Sequence, residues 1–150
     1  MTATTIKQLL DACFTAKKIT ETMEELPKGM KPRHIHVIDA IFEQEKLLGE
    51  VCVSDVSNKL NITTPSVTKL INELEDMGIL KKYIADYDKR VTLLSLTDKG
   101  RAYEQHYVTA YHTEWAQQLI TEITDAQAQD AILVIQKLQE AMPIRRASHE

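Results

Sequence analysis

Four cations, Lys81, Lys82, Lys89 and Arg90, fall within ten residues and face only Asp86 and Asp88. A guanidinium two residues from a carboxylate has a defined use: the carboxylate steadies the fork and leaves donors free for a phosphate or a base edge. At the tip of a hairpin, Lys89 and Arg90 can lie beside or inside a minor groove, whose narrow A·T-rich stretches attract a guanidinium. A bare carboxylate there would repel phosphate, so Asp88 is expected to partner Arg90 or a backbone amide.

A second group lies upstream. Thr64, Pro65, Ser66, Thr68, Lys69 and Asn72 sit on other faces of a stretch whose apolar residues are Val67, Leu70, Ile71, Leu74 and Met77. That spacing predicts an amphipathic helix. Hydroxyls, a lysine and an amide on its polar side can reach phosphates and base edges, and the major groove is wide enough to admit the helix.

Each group needs elements to hold it. The helix has Thr63 or Thr64 as its cap, Pro65 in its first turn and Gly78 in a left-handed position at its end. A shorter helix precedes it, SDVSNKL with Ser54 as N-cap, Val56 and Leu60 buried and Asn61 as the stop. After Gly78 the period changes: ILKKYIA and RVTLLSL read as two antiparallel strands joined through DYDK. Two short helices followed by a hairpin make a winged helix-turn-helix.

Flanking helices are predicted on both sides. Ile6, Leu9, Leu10, Phe14, Ile19, Met23 and Leu26 recur at helical spacing over residues 6–26, and Pro27 and Gly29 end that run. Pro32 opens a second helix that reaches about Leu47 before Gly49. Thr97 and Asp98 open a long helix through Tyr103, Val108, Tyr111, Trp115 and Leu119. A last helix, from about Asp125, carries Ala131, Ile132, Ile135, Leu138 and Met142, and the terminal RRASHE reads as frayed. The expected fold class is mainly α with a small β-hairpin wing.

The segment DYDKRVTLLSLTDKG resembles the wing signature of the multiple-antibiotic-resistance-regulator (MarR) family, an Asp-x-Arg followed by a strand and Leu-Thr-x-x-Gly. The resemblance extends back through SDVSNKLNITTPSVTKLINELEDMGILKK and covers about a third of the chain closely. The flanking helices match in length and order. It implies a transcriptional regulator that binds double-stranded DNA, with Arg90 in the minor groove, Asp88 as its buttress and the helix from Thr64 in the major groove. It also implies one domain over residues 1–150, with residues 32–100 binding DNA and residues 1–26 and 101–143 forming a homodimer. Repression is the family's commoner mode, and a small-molecule effector would lie between the first, second and fifth helices, near Met23, Met30, Arg33 and His34.

The homodimer also has a physical basis. Side chains as large as Phe14 and Trp115 on the outer helices exceed what one winged-helix core can cover, and a second chain is the economical burial. Two heads then read a pseudo-palindrome with half-sites roughly 10 base pairs apart.

Composition narrows the classes further. The 150 residues carry a formal charge of −4, unusual for a DNA-binding protein, yet the charge is unevenly placed. Residues 54–100 hold seven cations and seven anions, whereas residues 101–150 hold four and seven. The excess acid thus lies away from the wing. No apolar run approaches the ~20 residues of a membrane span, and the N-terminal segment lacks the pattern of a secretory signal, so a cytoplasmic protein is expected. There is no Gly-rich phosphate loop, GxSxG, HExxH or paired CxxC, so neither catalysis nor a cofactor is expected.

Sensing residues leave alternatives open. Cys13 lies on the first helix, where peroxide-sensing relatives place a reactive thiol, but residues 32–49 lack the tyrosines those relatives use. Packing is the plainer role for Cys13 and Cys52. Zinc sensing would need His34, His36, His106 or His112 to gather with Glu21, Glu24 or Glu104 across elements, because neither histidine pair shares a helix face. A winged-helix module that binds protein rather than DNA is the remaining class.

Overall fold

The computed structural model describes residues 1–141. Met142 and the terminal RRASHE lie outside the described residues. The chain divides into two compact units, Met1–Tyr111 and a second from His112 onward.

The first unit opens with α1 (Ala3–Glu21), capped where the Thr2 hydroxyl accepts the Thr5 N–H. It ends five residues short of the predicted Leu26. The Thr20 and Thr22 hydroxyls bond back to the carbonyls of Lys17 and Lys18, and Thr22 turns to extended backbone. Such local bonds compete with helix propagation. Met23 and Leu26 then pack against the core from a non-helical segment. Helix α2 (Pro32–Leu48) starts on Pro32, as expected, and is the most buried helix, contributing Ile35, Val37, Ile38, Ala40 and Ile41.

A strand that periodicity did not reveal follows, β1 (Val51–Cys52). It pairs antiparallel with the later strand β3 (Asp88–Leu96), placing Val51 opposite Leu94 and Cys52 opposite Leu93. This pairing moves the start of α3 (Val53–Leu60). Cys52, extended by the strand, is its N-cap in place of the expected Ser54, and its N–H and thiol both donate to the Asp55 carboxylate. Asn61 stops α3 in the left-handed region at φ 52°.

Helix α4 (Thr64–Asp76) keeps the predicted punctuation. Thr63 is the cap, accepting the Ser66 N–H, and Val67, Ile71 and Leu74 are buried. Gly78 leaves the helix at φ 74°, where a side chain would be strained. Strand β2 (Leu80–Ala85) then pairs with β3, giving a three-stranded sheet of order β1-β3-β2. The wing turns on Asp86 and Tyr87, so Asp88 and Lys89 join Arg90 in β3 rather than lying in the predicted linking segment.

Helix α5 (Asp98–Glu104) is fastened to the end of α4. The Thr97 hydroxyl accepts the Gly100 N–H and bonds the carbonyls of Gly78 and Ile79 at 2.6 and 3.0 Å, and the Lys99 ammonium reaches the Met77 carbonyl at 2.8 Å. Gly100 passes so close to Ile79 that a Cβ would sit 2.1 Å from its carbonyl oxygen. The helix expected to run regularly onward instead widens to a π turn over Gln105–Ala110. There the Thr109 hydroxyl bonds the buried Glu104 carboxylate five residues back, matching the wider repeat.

The core of this unit gathers Ile35, Ile38, Ile41, Val51, Val56, Ile71, Leu74, Ile79, Leu80 and Leu94 from α2, the sheet and the helix-turn-helix. By contrast, α1 contributes no fully buried residue and leaves Leu10, Phe14 and Ile19 exposed.

The remaining helices are α6 (Tyr111–Leu119) and α7 (Asp125–Glu140). Thr124 caps α7 reciprocally: its hydroxyl accepts the Gln127 N–H while the Gln127 side chain accepts the Thr124 N–H. Neither helix has a buried residue, and Ile120, Ile132, Leu133 and Ile135 are exposed.

Candidate nucleic-acid interface

Arg90 and Asp88 form the clearest local device. Both Asp88 carboxylate oxygens accept from the Arg90 guanidinium, from Nε at 3.1 Å and from Nη2 at 3.1 Å, and Oδ1 also accepts the Arg90 backbone N–H at 2.9 Å. These bonds hold the Asp88 carboxyl below its ordinary value, the side-chain bonds first and the backbone bond second. The Arg90 side chain remains 90% exposed. A fork held at its base with its outer donors in solvent is prepared for an anionic or polar groove. Lys89 beside it is exposed too.

On α4 the structure brings the predicted polar residues to the outside: Thr64, Pro65, Ser66, Thr68, Lys69 and Asn72 are all exposed. Two are already engaged. The Ser66 hydroxyl accepts from Thr63 at 2.9 Å as part of the cap, and the Asn72 Oδ1 accepts from the Lys82 ammonium at 2.6 Å. Lys82 also reaches Glu75 twice, its ammonium at 3.3 Å and its backbone N–H at 3.2 Å. This tie between α4 and β2 spans ten residues across two elements, and no local pattern announces it. Tyr87 and Ile84, exposed near the wing tip, also escaped the sequence reading.

The effector set divides. His34 is buried with both ring nitrogens occupied: Nδ1 accepts the Lys31 N–H at 2.9 Å, and Nε2 lies 2.6 Å from Glu73 on α4. An Nδ1 that accepts from an amide must be unprotonated, so Nε2 carries the hydrogen given to Glu73. That bond lowers the Glu73 pKa. The His34 ring is thus a tie between α2 and α4. Met30 packs in the core, with Met23 half-buried against it. Arg33 is placed differently. With Lys17, Thr20, Glu21 and His36 it lines a cleft of about 220 Å³ that also touches Leu60, Ile62 and Leu70.

Cys13 is half-buried on α1 near Leu10, Phe14 and Lys17, and both cysteines are free thiols. His106 pairs with Glu24 at 3.1 Å. Among the described residues no group of three His, Cys, Asp or Glu is arranged to hold a metal, and no helix is long and apolar enough to cross a membrane.

The two-helix head, the hairpin and the flanking helices define a winged helix-turn-helix fold. Solved regulators share it. The FabT protein of Streptococcus pneumoniae, crystallised with DNA, matches at a TM-score of 0.67 and 24% identity over 93% of this chain and 96% of its own. The DNA complex of MepR from S. aureus matches at 0.68 and 15% identity, over 95% and 99%. These likenesses establish the fold. No family model matches the chain. In sequence, it is 38% identical over 84 residues to the HTH-type transcriptional regulator YdgJ of Bacillus subtilis strain 168, over 56% of this chain and 49% of the relative. It is 28% identical over 109 residues to the HTH-type transcriptional regulator PapX of Escherichia coli, over 70% and 65%. The chain thus aligns with about half to two thirds of the length of these relatives.

Proposed function

We propose that this chain is a sequence-specific DNA-binding transcriptional regulator that grips a pseudo-palindromic operator as a homodimer. The observation that carries the proposal is the Arg90 fork, held by Asp88 on a basic wing and left open to solvent, in the same head as a helix with a polar outer face. Thr64, Pro65, Ser66, Thr68, Lys69 and Asn72 serve the major groove; Lys89 and Arg90 serve the minor groove, with Asp88 as the buttress. Residues 32–100 are the DNA-binding region. The helices within residues 1–26 and 101–143 dimerise, because Phe14 and Leu10 in one unit and Ile120, Ile132 and Ile135 in the other are left uncovered.

The regulator represses, and a small ligand releases it. The Arg33 cleft supports this reading: Lys17, Thr20, Glu21, Arg33 and His36 supply polar and charged groups beside Leu60, Ile62 and Leu70, a lining suited to a small ligand with both apolar and polar parts. Such a protein works in the cytoplasm, on DNA, without catalysis. The test is Arg90→Ala on a selected operator at fixed salt. A loss of about 1–3 kcal/mol is expected. Unchanged affinity would remove the wing from the account.

A further inference from the structure

The wing that carries Arg90 is held in two unlike ways along its length. Near its base Leu80, Leu94 and Leu96 are buried in the core, whereas Tyr83, Ile84, Lys89 and Arg90 toward its tip are exposed. Lys82 stands where the one gives way to the other, opposite Leu94 in the pairing of β2 with β3. The sheet order β1-β3-β2 leaves the outer side of β2 without a strand, and Glu75 on α4 fills that side at Lys82. One carboxylate oxygen of Glu75 accepts the Lys82 N–H at 3.2 Å; the other lies 3.3 Å from the Lys82 ammonium, which also donates to Asn72 at 2.6 Å. Covering an edge amide keeps other strands from pairing there. The same bonds fasten the hairpin to α4 two residues tipward of Leu80.

We propose that Glu75 is a positioning residue that, through Lys82, sets the angle between the wing and α4 and so lets Arg90 and α4 reach DNA together; this rests on α4 and the wing being the DNA-contacting parts of the proposed function. Distance gives the tie its leverage. Arg90 lies four residues tipward of Leu94 on β3, about 13 Å away at about 3.3 Å per residue. A tilt of about 10° at Lys82 would carry Arg90 by about 2 Å, well outside the window of about 0.5 Å in which a hydrogen bond keeps its strength. Asp88 holds the guanidinium to the wing, and Glu75 holds the wing to the head. Charge alone works in the opposite direction: a carboxylate close to a DNA-facing surface repels phosphate, and its removal would strengthen binding. Positioning therefore gives a loss where repulsion gives a gain.

A double-mutant cycle on a selected operator at fixed salt tests this with the full-length protein, every variant first checked for the wild-type circular dichroism spectrum and melt. Glu75→Ala is expected to weaken binding about fivefold or more. Arg90→Ala, expected to cost about tenfold in the otherwise wild-type chain, should cost less than about threefold once Glu75 is Ala, because a wing without its angle brings Arg90 to the groove less often. Lys82→Arg, whose backbone N–H and guanidinium still meet Glu75, should keep both the wild-type affinity and the full Arg90 factor. Should Glu75→Ala fail the folding check, Lys82→Met, which gives up the ammonium bonds, enters the same cycle and must likewise shrink the Arg90 factor. Tighter binding by Glu75→Ala would overturn the proposal and leave Glu75 a repelling charge. Weaker binding with the Arg90 factor undiminished would overturn it too, confining Glu75 to α4, and so would loss of that factor in Lys82→Arg. If Arg90→Ala costs nothing even beside an intact Glu75, the wing itself is no DNA contact, and the proposed function fails there before this inference does.

Discussion

In the proposed interface a carboxylate beside Arg90 costs attraction to phosphate, and Asp88 offsets that cost by accepting three hydrogen bonds from one residue. The consequence can be measured directly. Because its folded pKa is depressed, Asp88 favours the fastened wing at pH above the ordinary value of 3.8, and the contribution is lost as pH falls through the lower folded value. In a carbon-detected NMR titration the Asp88 carboxyl should therefore reach its midpoint below 3.8, and Arg90→Ala should bring it back toward that value. A midpoint at 3.8 in both proteins would mean that the fork is not held in solution. Asp88 and Arg90 were legible as a pair because they are two residues apart. His34 was not: its partner Glu73 lies thirty-nine residues away, and nothing near it in sequence distinguishes a structural histidine from a ligand-binding one. Replacing His34 with Ala removes both ring hydrogen bonds and leaves a cavity, and it should destabilise the protein by about 2–4 kcal/mol in urea denaturation. A cost under about 0.5 kcal/mol would show the ring to be dispensable there.

At the scale of elements, the boundaries set by single residues were readable and those set by pairing were not. Thr63, Pro65 and Gly78 mark α4 through local backbone chemistry, and Thr97 caps α5 in the same way. Strand β1 has two residues, too few to show a period, and exists because β3 offers an edge to Val51 and Cys52. That pairing then displaced the cap of α3 from Ser54 to Cys52. The π turn depends on Glu104 and Thr109, which a search for 3.6-residue repeats does not register. Gly100 is the tightest joint, where α5 crosses the end of α4. Gly100→Ala would press a methyl group to 2.1 Å from the Ile79 carbonyl oxygen, so the backbones must part. A loss of about 1–3 kcal/mol is expected by chemical denaturation, the usual range for overpacking. A protein of unchanged stability would mean that this joint yields freely.

Over the whole molecule, the charge has a direction. The region of residues 54–100 is neutral in sum, with cations gathered on the wing, and the acid excess lies in residues 101–150. Under the proposed function, the cations of the wing are the part of the chain that DNA attracts. The proposed dimer would cover the exposed apolar side chains of α1 and of α7. Sedimentation at micromolar concentration should give about twice the 17.1 kDa of one chain, and a persistent single-chain species would refute the dimer. If paired heads read DNA through α4 and the wing, hydroxyl-radical footprinting on a selected operator should show two symmetric protected stretches roughly 10 base pairs apart, flanked by minor-groove protection that disappears in Arg90→Ala. Uniform weak protection without a preferred sequence, or flanking protection that survives in Arg90→Ala, would contradict it.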